Sequence, residues 1–137
     1  MPTTRGRLVY NNVVVYDQAD FFQLDGYTRV PGLTPDQLGC EVYYNNTRQT
    51  WALISGSGIV ETQVASGHVY WDTLGSGSYG IRWRPNAVGY WRILITYAHG
   101  CQILGQDYDV NAGTGVMSPG GGLKASFVGP GGRPNDC

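Results

Sequence analysis

The stretch Gly77–Tyr97, GSYGIRWRPNAVGYWRILITY, decides the fold class. Tyr79, Ile81 and Trp83 alternate with Gly80, Arg82 and Arg84. A period of two puts alternate side chains on opposite faces of a strand. Pro85-Asn86-Ala87-Val88-Gly89 reads as a turn. A second strand follows, with Trp91, Ile93, Ile95 and Tyr97 on one side and Tyr90, Arg92, Leu94 and Thr96 on the other. The pattern predicts a hairpin with one strongly apolar face. Trp83 and Trp91 read as core anchors, because aromatic side chains bury large apolar areas in β cores. Arg82, Arg84 and Arg92 are expected together on the outward face, with Tyr90 and Leu94 between them.

The rest of the chain extends this reading. Its 137 residues suit one domain with one core. Hydrophobic residues make up 42% and charged residues only 14%, and 21 glycines and 7 prolines punctuate the chain throughout. Short aromatic or β-branched runs separated by Gly, Asn, Asp and Pro describe an all-β protein. The expected architecture is a two-sheet antiparallel β-sandwich, immunoglobulin-like or jelly-roll, with an extended Gly-rich C-terminal arm. Strands are expected in Arg7–Tyr16, broken near Asn11-Asn12, and in Cys40–Tyr44, Thr50–Ile54, Ile59–Val64, His68–Trp71 and Ile103–Val110. Phe21–Val30 reads as an irregular hairpin turning at Asp25-Gly26. Thr34-Pro35-Asp36-Gln37 carries a capping signature with room for a single helical turn.

Residues 1–110 form the expected sandwich domain, and 111–137 a Gly/Pro-rich arm. The arm's composition is too poor in apolar surface to order itself unaided. Leu123, Phe127 and Val128 are its candidate anchors on a neighbour.

Net charge is −1 and the sequence pI is about 6.0, which does not favour nucleic acid or an acidic membrane as partner. Lys124 is the one lysine among nine basic residues. Arginine is the residue of planar, bidentate and stacked contacts. Met1–Arg7 has no apolar run of leader length and no segment has membrane-spanning length, so synthesis in a reducing cytoplasm is expected. Cys40, Cys101 and Cys137 are an odd, widely spaced set that suggests neither a disulfide framework nor a zinc motif.

Catalytic chemistry finds little footing. His68 and His99 are the only histidines, and His99-Gly100-Cys101 reads as a tight turn in which the two side chains are expected to diverge. Glu41 and Glu61 are the only glutamates, and nothing pairs them across a cleft. Asp17, Asp20 and Asp25 lack calcium-loop spacing. Asp107 and Asp109 share a strand face and suit pairing with arginines across a sheet. The expectation is a protein with no catalytic residue, cofactor or metal. Recognition falls to a partner-binding set: Arg82, Arg84, Tyr90, Arg92, Leu123, Phe127 and Val128.

The run from Thr50 to Tyr97 also carries a resemblance. Trp51 and Leu53, then Tyr79, Ile81, Trp83 and Pro85, then Gly89, Trp91, Ile93, Ile95 and Tyr97 follow a "W-x-L", "Y-x-I-R-W-x-P", "G-x-W-x-I-x-I-x-Y" pattern. It resembles immunoglobulin-like sandwich modules of tailed-phage virion proteins and bacterial surface proteins, over about a third of the chain. Ile93 or Ile95 stands where antibody-type domains have their second cysteine, so that bridge is not expected. The resemblance implies a non-enzymatic structural protein made in a host cytoplasm and resident in a virion. It would be a capsid decoration or cement subunit, docking on protein partners as a homo-oligomer or lattice-bound copy and lacing neighbours with its arm. A tail or neck component, and a carbohydrate-binding module using Tyr43, Tyr44 and Tyr90, are the alternatives.

Overall fold

A computed structural model describes residues 6–23, 25–97 and 102–113, and the backbone of 124–127. Ten strands occupy these ranges. They are β1 (Arg7–Tyr10), β2 (Val15–Gln18), β3 (Leu38–Tyr44), β4 (Thr47–Gln49), β5 (Ala52–Ser55), β6 (His68–Gly75), β7 (Ser78–Trp83), β8 (Gly89–Tyr97), β9 (Gln102–Asn111) and β10 (Lys124–Phe127). The first sheet runs β1-β9-β8-β3-β4, with β10 also on β9, and the second runs β2-β7-β6-β5. The protein is an all-β sandwich. Neighbours pair antiparallel except β1 with β9 and β5 with β6, so both sheets are mixed rather than purely antiparallel. The orders β9-β8-β3-β4 and β2-β7-β6 are those of the immunoglobulin scheme, with its G-F-C-C′ and B-E-D strands.

The decisive stretch is two strands, as its period requires, but not a hairpin. β7 lies in the second sheet and β8 in the first. The connection 84–88 therefore crosses from one sheet to the other. Both apolar faces turn inward across the sandwich. Trp83 and Trp91 are fully buried with ring centroids 5.5 Å apart, and Trp51 packs on both. Period two reports which face is apolar, and says nothing of which sheet that face belongs to.

Asn11-Asn12 is a second sheet crossing. Asn12 takes a left-handed φ of 63°, a conformation that asparagine tolerates well. Its N–H donates to the Pro85 carbonyl at 3.0 Å, so the two crossovers support each other. Ile59–Val64 is not the expected strand. A 3-10 turn, Glu61–Gln63, fills it instead. Phe21–Val30 has its hairpin bridge at Phe22 and Arg29, and the Asp25 carboxylate accepts from the Tyr27 and Thr28 N–H groups to hold the turn. Pro35–Gln37 is the anticipated single turn.

One buried polar cluster joins the sheets. The Asp17 side chain, on β2, is 0% exposed and ion-paired to Arg7 on β1, which is 18% exposed. Arg7 sits opposite Tyr108 of β9 in the parallel register, and the Tyr108 hydroxyl also donates to Asp17. One carboxylate thus takes partners from two strands of the opposing sheet. Burial, then the Asp17 charge, push the Tyr108 phenol well above its ordinary value. Trp83 packs edge-on against the Tyr108 ring with centroids 4.9 Å apart.

Asp17→Ala strips the buried Tyr108 hydroxyl and the partly buried Arg7 guanidinium of their acceptor and should cost about 3–5 kcal/mol in denaturant unfolding. A loss below about 1 kcal/mol would show that the cluster does not hold the sheets together. Alkali offers a second check. A phenol whose folded pKa is raised favours the native state fully below the unfolded tyrosine pKa, and that contribution is lost as pH climbs beyond it. Unfolding free energy should therefore fall above about pH 10, and the fall should be shallower in Tyr108→Phe, the other raised phenols and Cys40 keeping their share.

Candidate functional site

The two outer faces of the sandwich are unlike. On the second sheet, Arg82 and Arg84 do point outward, as period two requires. A segment of the chain folds back over them. Arg82 donates through Nε and Nη2 to the Asp72 carboxylate at 2.7 and 2.9 Å. It also donates to the Ile59 carbonyl at 2.7 Å and the Gly56 carbonyl at 3.0 Å. Arg84 donates to the carbonyls of Val64 at 2.7 Å, Glu61 at 3.4 Å, and Asn12. Beneath these clamps Val14, Val64 and Tyr70 form a small second core with Ile54 and Ile59 packed on it. Gly56 is required here, because a Cβ would overlap the Asp72 carboxylate.

Both arginines are therefore spent on their own chain. The expectation that they share a face with Tyr90 and Arg92 is corrected: the two pairs lie on opposite sides of the sandwich. A groove of about 420 Å³ opens beside the clamp, lined by Leu33, Thr34, Ser57, Asp72, Leu74 and others.

The outer face of the first sheet has no comparable covering segment among the described residues. The register sets its rows. Arg48, Tyr43, Arg92 and Asp107 stand side by side across β4, β3, β8 and β9. Glu41, Leu94 and Gly105 form the next row, and Tyr90, Asp109 and Leu8 another. Arg92 Nε donates to Asp107 at 2.7 Å, and its guanidinium lies 5.9 Å from the Tyr90 ring centroid. Burial and then the Asp107 carboxylate raise the Tyr90 phenol pKa. Tyr43 donates to Glu41, and that bond raises its phenol. Leu8 is 52% exposed at the edge. A shallow groove of about 340 Å³ runs along Leu94, Gly105 and the Arg92–Asp107 pair.

The other candidates separate. Tyr44 packs inward on Trp91 and donates to the Val88 carbonyl at 2.6 Å, so it is no ligand platform. Asp17 is in the core cluster, Asp20 accepts from Ser78 at 3.0 Å and Tyr79 N–H at 3.1 Å, and Asp25 closes its own turn. Among the described residues no three of His, Cys, Asp and Glu gather as a metal-ligand set. His68 is exposed, its ring against Tyr70. No helix among the described residues is long and apolar enough to cross a membrane. Cys40 is a free thiol packed beside the core, and burial pushes it up to about 12. Leu123, Val128, His99, Cys101 and Cys137 lie outside the described residues. Phe127 is described only as a backbone position in β10, opposite Gln102.

The sequence reading missed the folding back of residues 55–66. Its one signal was Ile59, Val60 and Val64 flanked by Gly and Ser, apolar residues without a sustained strand period. Compared with protein families, curated proteins and solved structures, the chain finds no match.

The two kinds of arginine should separate in stability. Arg82→Ala leaves a half-buried carboxylate and two loop carbonyls short of donors, and should cost about 2–3 kcal/mol. Arg92→Ala removes a pair 46% and 35% exposed, and should cost no more than about 1 kcal/mol. Equal losses in denaturant melts would contradict this division. In a chain carrying Cys101→Ser and Cys137→Ser, Cys40 should resist a thiol reagent at pH 8 until denaturant is added. Prompt native labelling would show the thiol accessible.

Proposed function

We propose that this protein is a non-enzymatic interaction subunit of a larger assembly that docks on a protein partner through the outer face of its first sheet. One observation carries the reading, the inequality of the two faces. The second sheet's outer side is partly covered by residues 56–64, folded over Arg82 and Arg84. The first sheet offers Tyr43, Arg48, Tyr90, Arg92 and Leu94 on a continuous three-strand surface. Tyrosine and arginine are the residues that anchor protein interfaces, and a leucine between them supplies apolar contact. Mixed charge along the rows, with Arg48 and Arg92 among Glu41, Asp107 and Asp109, suits a polar-rimmed contact with protein better than a polyanion. The resemblance of Thr50–Tyr97 to virion sandwich modules makes a capsid-decorating subunit the favoured assembly, by analogy of fold pattern. Of the seven residues expected to bind, Tyr90 and Arg92 stay in the proposal. Arg82 and Arg84 leave it.

The test is co-sedimentation with large assemblies from cells producing the chain. Tyr90→Ala with Arg92→Ala should lower bound chain at least about tenfold, as for a hot-spot pair. Val60→Ala, on the covering segment, should bind as the parent does. Equal binding by both would sink the docking face. Retention on a glycan array, competed by free sugar, would replace the protein partner with a carbohydrate.

A further inference from the structure

The outer edge of β9 is divided between two strands. β1 pairs parallel with Tyr108–Asn111, and β10 pairs antiparallel with Gln102–Gly105. Together they cover the edge almost end to end. Any connection from β9 to β10 within one chain must return along this edge, past β1. Asn111 and Gly105 are six residues apart on β9, about 20 Å at the rise of a strand. The chain from Asn111 to Lys124 has thirteen steps and spans at most about 45 Å. That length is more than the intrachain return requires. The surplus is chain length available to reach the β9 edge of an adjoining copy. Residues 114–123 include Gly115, Gly120, Gly121 and Gly122, so composition sets no stiff spacer between the strands.

We infer that the Gln102–Gly105 edge of β9 is a strand-acceptor site, and that its occupant in the assembled state is the β10 segment of a second copy of this chain. The inference rests on the assembly reading above and deepens it, by naming the partner and the register. Exchange of an identical strand preserves every pairing, Lys124 with Gly105 through Phe127 with Gln102, so it costs little beyond the loss of intrachain tethering. A short tether gives an effective concentration on the order of 1 mM. A free monomer in dilute solution therefore keeps its own strand. Neighbours held on a lattice reach comparable local concentrations and exchange. Backbone pairing supplies the affinity, the general logic of strand addition to a sheet edge.

The experiment uses full-length chains in which Cys101 and Cys137 are replaced by serine. One chain carries Ile103→Cys, another Ser126→Cys, positions that face each other in the β9–β10 register. The two are unfolded together, refolded over a series from about 10 μM to several mM around the effective concentration of the tether, and oxidised. Exchange predicts a disulfide-linked heterodimer whose yield rises with concentration and reaches half near the millimolar range. The doubly substituted chain, Ile103→Cys with Ser126→Cys, should close on itself when dilute and form linked dimers when concentrated. Intrachain closure at every concentration, with no heterodimer from the mixture, overturns the inference. So does the absence of any link in either preparation, because the strand pairing itself would then be missing. These readouts need no partner, and Ile103, opposite Thr96, is set apart from Tyr90 and Arg92 along the sheet. Failure of the docking test and failure of strand exchange are therefore distinguishable.

Discussion

The Asp17 carboxylate is the constraint around which the sandwich is arranged. It projects from β2 into the space between the sheets and is closed off from solvent by Arg7 and Tyr108. An isolated buried charge is costly, and a missing partner costs more than the pair contributes. The cluster therefore acts as a condition on assembly. β1 must lie beside β9, and β2 must lie across from both, before the carboxylate is satisfied. A purely apolar contact at this point would accept a slipped register, whereas two donors converging on one carboxylate do not. In antibody-type domains a disulfide joins the corresponding sheets, and here an ion pair and a phenol hydrogen bond join them.

Around that link the aromatic core does the bulk of the stabilising. Trp51, Trp83, Trp91 and Tyr108 form one connected set of rings spanning both sheets. The polar ends of Tyr79 and Trp71 are satisfied at the margins of the core, whereas the buried Trp83 Nε1 has no hydrogen-bond partner among the described residues. The Tyr79 hydroxyl accepts from Leu33 N–H and donates to the Val30 carbonyl, and Trp71 Nε1 donates to the Leu33 carbonyl. These bonds tie the 30–33 segment to the core without a strand of its own. The same economy governs the outer side of the second sheet, where Arg82 and Arg84 hold a loop by its carbonyl oxygens. An arginine has five donors in a fixed fork, so one side chain can fasten several backbone acceptors at once.

What remains outside these uses gives the surface its character. Arg92 differs from Arg82 in its setting more than in its chemistry. Both pair with an aspartate on a neighbouring strand, Arg82 with Asp72 and Arg92 with Asp107. Residues 56–59 fold over one pair and leave the other open. The outer face of the first sheet is where recognition is proposed, and the β9 edge is where copies are proposed to join. The two lie side by side, because Gly105 and Asp107 belong both to the face and to the strand that carries the edge.

The alternation in Tyr79–Trp83 and Trp91–Tyr97 determined two strands, their inward faces and two of the core tryptophans. Glycine, asparagine and proline determined most of the breaks, Asn11-Asn12 and Pro85–Gly89 among them. Local periodicity carries this information because it depends only on which side of a strand a residue occupies. Tertiary structure alone decided that β7 and β8 belong to different sheets, that Asp17 is buried, and that Ile59–Val64 is a cover with a 3-10 turn in it. It also decided that three arginines of similar spacing divide into two structural clamps and one surface residue. Those outcomes turn on strand partners far away in the chain, and on which carbonyls a folded loop presents to a guanidinium. No period within a short window records either.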